Sequence, residues 1–199
     1  PMPSEIAATV RIADRSLVSM AQTISLIDRE CRAAGRTHEI ILMTDLGDLR
    51  EGVWMGRVDE IAPVLKASPR VRCVGVGVNF GCFGGVLPVP EKLEQLLSVG
   101  KELERFLEYP LSVYSGGSTS SLILLERGTM PRGITNLRVG EGILIGADVT
   151  GISTMDGCMS RSNPRAFIFS FRRAVGSRYI NAHISPCWML SFSRSETVS

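Results

Sequence analysis

The stretch "HEIILMTDLGDLREG", residues 38–52, decides the fold class because it joins a buried strand to a polar loop. Its apolar run from Ile40 to Met43 is continuous, which is typical of a strand covered on both faces, as the strands of parallel sheets are. The chain then turns through a glycine-containing loop after Asp45, and a helix is predicted over residues 56–67. A buried strand followed by a loop and a helix predicts one βα unit.

The same order recurs along the chain to about residue 147. The other predicted strands cover residues 16–20, 71–80 and 111–117, and residues 136–146 are predicted to form a final strand and turn. The other predicted helices cover residues 21–34, 91–107 and 119–127, and residues 4–14 look like a helix already in progress within a larger fold. Repeated βα units predict a parallel sheet, but five of them are too few to close an eight-unit barrel, which normally needs roughly 250 residues. We therefore expect an α/β fold: a partial (β/α)8 TIM-type barrel of about five βα units over residues 1–147.

Composition and charge exclude several function classes. Hydrophobic residues make up 44% of the 199 residues and charged residues 21%, as in an ordinary globular protein. The formal net charge is only +2 and like charges do not cluster, so neither nucleic acid nor a membrane is expected as a partner. The five cysteines lack C-x-x-C spacing, so no metal site is predicted, and buried free thiols suit a reducing cytoplasm.

Residues 148–199 are not assigned to the barrel. Residues 151–199 contain ten Ser and six Arg but only two acidic residues, and their apolar residues follow no sustained period. This composition predicts an irregular, basic C-terminal tail. A reading-frame change, a truncated gene and a divergent extension are alternative origins for such a segment.

The loop "SGGSTSS", residues 115–121, places hydroxyl groups between a predicted strand and a predicted helix. Ser118, Thr119, Ser120 and Ser121 could face an anion together with free backbone N–H groups at the start of the helix, as in a phosphate-binding loop without a lysine. An ordinary helix cap after a Gly-Gly turn would have the same composition. The residues by themselves leave both interpretations open.

Three further strand ends carry candidate binding residues. In "NLRVGEG", Arg138 keeps its charge and needs an acceptor, while Gly140 lets a ligand approach the backbone; an ion pair of Arg138 with Glu141 or an aspartate is the alternative. "TDLGDLREG" can return Arg50 over the barrel mouth, or it is a solvated turn. "GVNFGCFGG" sets Asn79 before several glycines, which suits a flat ligand or a flexible loop.

Together these segments resemble the barrel domain of fold-type III pyridoxal-phosphate enzymes, the alanine racemase group, and most closely its ornithine racemase-like branch. "ILMTDLGDLREGV", "GVGVNFGCFGG", "SGGSTSSL" and "GITNLRVGEGILIG" carry the resemblance, which covers about residues 1–147. It implies pyridoxal 5'-phosphate as cofactor, an amino acid as substrate and interconversion of L- and D-enantiomers. It also implies the homodimer that is usual in that group.

The resemblance assigns a role to each candidate residue. It implies that Arg50 bonds the phenolic oxygen of the cofactor, that Asn79 takes the position of a ring-stacking histidine, and that Arg138 faces the pyridine nitrogen. The residues implied in holding the phosphate are Ser118, Thr119, Ser120, Gly140 and Glu141. An arginine at the ring nitrogen keeps that nitrogen unprotonated, which favours simple removal and return of the α-proton.

The Schiff-base lysine of that family has no counterpart in this chain. All three lysines, Lys66, Lys92 and Lys101, lie on predicted helices, whereas the family's lysine ends the first barrel strand. The resemblance therefore implies a fragment of a racemase, with no catalytic residue identified, that is inactive alone. A non-catalytic protein that binds or carries pyridoxal phosphate and an inert remnant of a racemase gene are the alternative hypotheses.

Overall fold

The computed structural model of the protein describes residues 1–144, 181–184 and 190–193. The helices are α1 (Ile6–Ile12), α2 (Ala21–Ala34), α3 (Val58–Lys66), α4 (Pro90–Leu107), α5 (Leu122–Glu126) and α6 (Glu141–Leu144). The strands are β1 (Arg15–Val18), β2 (His38–Asp45), β3 (Val53–Trp54), β4 (Val71–Val78), β5 (Val113–Ser115), β6 (Asn136–Val139), β7 (Asn181–Ile184) and β8 (Leu190–Ser193). Short 3-10 turns precede α1, α3 and α5.

The centre of the fold is a parallel sheet. β1, β2, β4, β5 and β6 are neighbours in that order, and each adjoining pair is parallel. A helix connects each of these strands to the next, and α1, α2, α3 and α4 contact one another in turn. Parallel neighbours need such crossover connections, because a tight turn can join only antiparallel strands. The predicted α/β fold class, with five parallel strands that are joined by helices, is confirmed.

Both faces of β2 are buried, as its continuous apolar run predicted. Ile40 and Leu42 belong to the main hydrophobic cluster, which includes residues of α2, α3 and α4. Ile41 and Met43 are buried on the opposite face. On that face, a Cβ on Gly77 of β4 would lie only 2.9 Å from the sulfur of Met43. The glycine therefore leaves room for the Met43 side chain.

Three details of the sequence-based prediction differ from the structure. The segment predicted as a final strand and turn, residues 136–146, contains a strand only to Val139, and a helix, α6, follows from Glu141 in place of the turn. The negative charge of Glu141 is favourable in the first turn of a helix. β3, two residues long, was not predicted. The tail was predicted to be irregular, yet β8 pairs antiparallel with β6, and β7 pairs with β8. An edge strand offers unpaired backbone groups to any strand, and four-residue strands are too short to show a period.

Helix α4 packs against β5 at a glycine, Gly100. A Cβ on Gly100 would overlap the ring of Tyr114, with its ring carbon Cζ and its hydroxyl oxygen both at 2.9 Å. The Tyr114 hydroxyl donates a hydrogen bond of 3.0 Å to Glu104, which also accepts one from the backbone of Leu111. The helix and the strand are therefore held in one register by a ring that needs a glycine opposite it.

Among the residues described, no helix is both long and apolar enough to cross a membrane. Cys31 and Cys73 are buried free thiols, as predicted, whereas Cys82 is free but exposed in the loop after β4. The burial of Cys73 raises the pKa of its thiol to about 11. The predictions for Cys158 and Cys187 lie outside the described residues.

Replacing Gly100 with Ala is expected to lower the free energy of unfolding by about 1–3 kcal/mol, because the new methyl group forces the Tyr114 ring out of its site. Gly56→Ala is the matched control, since nothing lies within 4 Å of a Cβ at that position. Urea unfolding followed by circular dichroism measures both variants. Equal midpoints for the two would contradict the packing described for α4 and β5.

Candidate functional site

The candidate residues lie at the carboxyl edge of the parallel sheet. The segments that meet there are residues 46–52 after β2, 79–89 after β4, 116–121 after β5 and 140–142 after β6. Parallel strands bring the residues that follow them to the same edge, which is where ligands bind in open α/β sheets. Each of the eight residues predicted from the sequence lies in one of these segments or, for Arg138, at the end of β6.

Arg138 is the buried charge of this edge. Only 9% of its surface is exposed, and its guanidinium donates to groups of two neighbouring strands. Nη1 donates to the hydroxyl of Ser115 at 2.6 Å, and Nη2 donates to the carbonyl oxygen of Val78 at 3.0 Å and to Oδ1 of Asn79 at 2.6 Å. Two of the predicted residues, Arg138 and Asn79, are thus in direct contact.

The environment of Arg138 is unusual for a buried cation. Within residues 1–144 no carboxylate forms an ion pair with it, so the alternative of a structural pair with Glu141 or Asp45 does not hold. Burial lowers the pKa of its guanidinium to about 10. The charge of Glu51 opposes this lowering, and the charge of Arg50 adds to it.

The hydroxyl loop after β5 is turned inward and held at several points. The hydroxyl oxygens of Ser118 and Ser120 lie 3.3 Å apart, and Ser120 also donates to the carbonyl oxygen of Phe80 at 3.1 Å. Thr119 accepts a bond of 3.2 Å from the backbone N–H of Gly142. None of the side chains forms a cap bond with the short helix that follows, so the helix-cap interpretation does not account for these hydroxyls.

A buried hydroxyl of this loop is left without a partner. The oxygen of Ser121 is inaccessible to solvent and forms no hydrogen bond among the residues that the structure describes. It lies against Gly117, whose φ of 113° is in the region that favours glycine and whose missing Cβ would meet that same oxygen. A buried hydroxyl group, which can both donate and accept a hydrogen bond, normally has a partner. A ligand is one possible source of that partner.

The loop after β2 is a tight turn that presents Arg50 at its surface. Oδ1 of Asp45 accepts bonds from the backbone N–H groups of Gly47 at 2.8 Å and Leu49 at 3.2 Å. Leu49 adopts a left-handed φ of 54°, and Gly52 lies so close to β2 that a Cβ would be 2.5 Å from the backbone of Thr44. The side chain of Arg50 is exposed and so accessible to a ligand.

Asp48 connects this loop to the loop after β4. Its side chain is 2% exposed, and Oδ1 accepts from the backbone N–H groups of Cys82 at 3.1 Å and Val86 at 3.3 Å. Its carbonyl oxygen accepts from Gly84 at 2.6 Å, where a Cβ would be too close. The position of Arg50 is therefore coupled to that of the glycine-rich loop "GCFGG".

Not all of the predicted site residues contact one another in the structure. Gly140 follows β6 directly and Glu141 begins α6, but Glu141 forms no side-chain hydrogen bond with the other candidates within residues 1–144. Conversely, Ser115, Asp48 and Glu51 were not predicted as site residues from the sequence, although Glu51 accepts a hydrogen bond from Asn79. An acidic residue inside a glycine-rich loop was the available signal for Asp48 and Glu51. Ser115 is the first residue of the hydroxyl loop, but no local signal indicated its contact with Arg138, because that contact depends on the packing of the neighbouring strand.

The chain matches known proteins in sequence. Residues 1–147 match the family described as "Alanine racemase, N-terminal domain". Lysine racemase of Thermotoga maritima is 41% identical over 157 residues, which are 78% of this chain and 43% of that protein. Ornithine racemase of Acetoanaerobium sticklandii is 36% identical over 150 residues, 74% of this chain and 42% of that protein. The chain thus spans less than half the length of these curated relatives.

Solved structures are similar in fold. The structure of PipY from Synechococcus elongatus, with PLP bound, matches with a TM-score of 0.55 and 19% identity over 70% of this chain and 64% of that one. D-threo-3-hydroxyaspartate dehydratase from Delftia sp. matches with a TM-score of 0.55 and 21% identity over 71% of this chain and 40% of that one. At these identities the likeness is one of fold, and it agrees with a part of the (β/α) barrel.

Replacing Asp48 with Ala is expected to free the loop after β4, because the backbone N–H groups of Cys82 and Val86 lose their acceptor. The free energy of unfolding should fall by about 1–3 kcal/mol, and amide exchange of Cys82 and Val86 should accelerate. Asp48→Asn keeps an acceptor oxygen and is the control that retains slow exchange. Unchanged exchange in the alanine variant would show that Asp48 does not hold the loop.

Proposed function

Because the chain belongs to the alanine racemase N-terminal domain family, we propose that it forms the cofactor-binding part of a pyridoxal-phosphate-dependent amino-acid racemase. The observation that carries this proposal is the buried Arg138, held by neutral acceptors at the same edge as the inward-facing hydroxyl loop. The curated relatives are named for lysine and ornithine, so amino acids with a side-chain amine are the first substrates to test.

The hydroxyl loop suits the phosphate of the cofactor. Ser118, Thr119 and Ser120 offer hydroxyl groups that can donate to phosphate oxygens. At Gly117 a Cβ would overlap the oxygen of Ser121 and would also press on the ring of Phe80 at 3.3 Å, so glycine is needed for this packing of the loop. These are features of a loop built to hold a small anion.

The two arginines suit the ring of the cofactor. Arg138 is charged at neutral pH even with its lowered pKa, so it can face the ring nitrogen and oppose its protonation. Arg50, exposed on its tight turn, can donate to the phenolic oxygen, and Asn79 lies beside Arg138 where the ring would pass. Pyridoxal phosphate, when bound, draws electrons from the α-carbon of an amino acid, which allows the α-proton to leave and return.

Two of the three lysines of the chain are engaged away from this site. Lys66 pairs with Glu108 at 3.3 Å and Lys101 with Glu104 at 3.4 Å, both on the helical layer. Lys92, in the first turn of α4, lies next to the loop after β2, where its ammonium group donates to the carbonyl oxygen of Leu46 at 2.7 Å. We infer that the chain binds the cofactor without forming a covalent bond to it and that it does not racemise amino acids alone. A non-catalytic protein that binds pyridoxal phosphate is therefore the second candidate function. The homodimer and the cytoplasmic location remain predictions.

We expect the 199-residue chain to bind pyridoxal phosphate at one site without covalent attachment. Fluorescence titration measures binding, inorganic phosphate should compete, and mass spectrometry after borohydride treatment should show no stoichiometric adduct. Chiral chromatography of lysine and ornithine incubated with the loaded chain should show no change of enantiomer. An adduct on one lysine with turnover would contradict the inactivity, and absence of binding would contradict the proposed function.

Arg50→Ala is expected to weaken pyridoxal phosphate binding by about 1.5–3 kcal/mol, the usual contribution of a hydrogen bond to a charged group. Arg57→Ala removes an exposed arginine that pairs with Glu60 near α3, and it serves as the matched control. The same titration measures both. If the two variants bind alike, Arg50 is a turn residue without contact to the cofactor.

A further inference from the structure

The buried guanidinium of Arg138 has no direct counter-charge among the described residues. Its acceptors there are a hydroxyl, a backbone carbonyl and an amide oxygen, all of them neutral. A buried cation is costly unless its charge is compensated, and partial dipoles supply only part of that compensation. A carboxylate connected to this network would therefore have a large effect on how the arginine is held.

Glu51 is connected to Arg138 through one side chain, Asn79. The Nδ2 group of Asn79 donates to Oε1 of Glu51, while Oδ1 of the same amide accepts from Nη2 of Arg138. An asparagine amide has a donor end and an acceptor end, and the carboxylate can only accept. Glu51 therefore selects the orientation of the amide that presents oxygen to the guanidinium.

The opposite orientation of Asn79 would be unfavourable. A flipped amide would turn its NH2 group towards Nη2 of Arg138, placing two donors face to face, and its oxygen towards the carboxylate of Glu51. Both contacts would be lost at once. The hydrogen bond from Asn79 to Glu51 therefore favours the orientation in which the amide oxygen of Asn79 accepts from Arg138.

The division of exposure explains why the contact is indirect. Asn79 is 7% exposed and Arg138 is 9% exposed, whereas Glu51 lies at the surface. A direct buried ion pair would require both charges to lose their hydration. Here the carboxylate stays in water and the amide dipole conveys its influence to the guanidinium.

We propose that Glu51 is a positioning residue of this site: by fixing the amide of Asn79 it holds the guanidinium of Arg138 in the orientation that faces the ligand. The inference rests on the proposed function for what the ligand is, but the contact itself does not. Glu51 also follows Arg50 in the chain, so the same bond ties the loop that carries Arg50 to the end of β4. The two arginines are thereby placed relative to each other.

Two measurements test this proposal. The side-chain amide signal of Asn79 in a 1H–15N spectrum of the cofactor-free chain reports the hydrogen bonds of the amide. The dissociation constant of pyridoxal phosphate reports the consequence for the site. Glu51→Ala should shift the Asn79 signal and weaken binding about tenfold, whereas Glu51→Gln keeps an acceptor oxygen and should lose about threefold or less.

A transposed pair separates positioning from general stability. Asn79→Asp alone sets two carboxylates against each other and should weaken binding about tenfold, although the introduced carboxylate can still accept from Arg138. In the double variant Asn79→Asp with Glu51→Gln, the glutamine amide donates to the new carboxylate, and affinity should return to within about threefold of the unmodified chain. Glu60→Ala, at an exposed glutamate paired with Arg57, is the control and should change neither measurement.

The outcomes are distinct. Equal loss in Glu51→Gln and Glu51→Ala, an unmoved Asn79 signal in Glu51→Ala, or no recovery in the double variant would each overturn the positioning role. If the unmodified chain does not bind pyridoxal phosphate, the proposed function fails, and the Asn79 signal still decides whether Glu51 orients the amide.

Discussion

The carboxyl edge of the sheet depends on the hydrogen bonds of one buried cation. Arg138 lies on β6 and donates to Ser115 at the end of β5 and to Val78 and Asn79 at the end of β4. An arginine keeps its proton, so each of these acceptors must stay in place or leave a buried charge uncompensated. Three neighbouring strand ends are thus fixed relative to one another, and the loops that follow them start from a rigid base.

The loops beyond that base are held by carboxylates on backbone N–H groups and by glycines. Asp45 closes its own turn, and Asp48 binds the loop after β4 across the edge. Gly52 and Gly84 stand where any Cβ would meet a neighbouring backbone. Because polar backbone groups in these loops have partners, the surface they form is defined well enough to position Arg50 and the hydroxyl loop for a ligand.

This chain spans less than half the length of its curated relatives. What it contains is the part that contacts phosphate, ring oxygen and ring nitrogen in our proposal.

The order of strands and helices, the buried character of β2 and the candidate residues of four strand ends could be read from the sequence. Their signals are local: an apolar run, a glycine, a hydroxyl cluster. No local signal indicated that Ser115 would accept from Arg138, that Asp48 would hold another loop or that Glu51 would orient Asn79, nor that β8 would pair with β6. Those contacts join residues 23 or more positions apart, and only the packing of the strands brings them within hydrogen-bond distance.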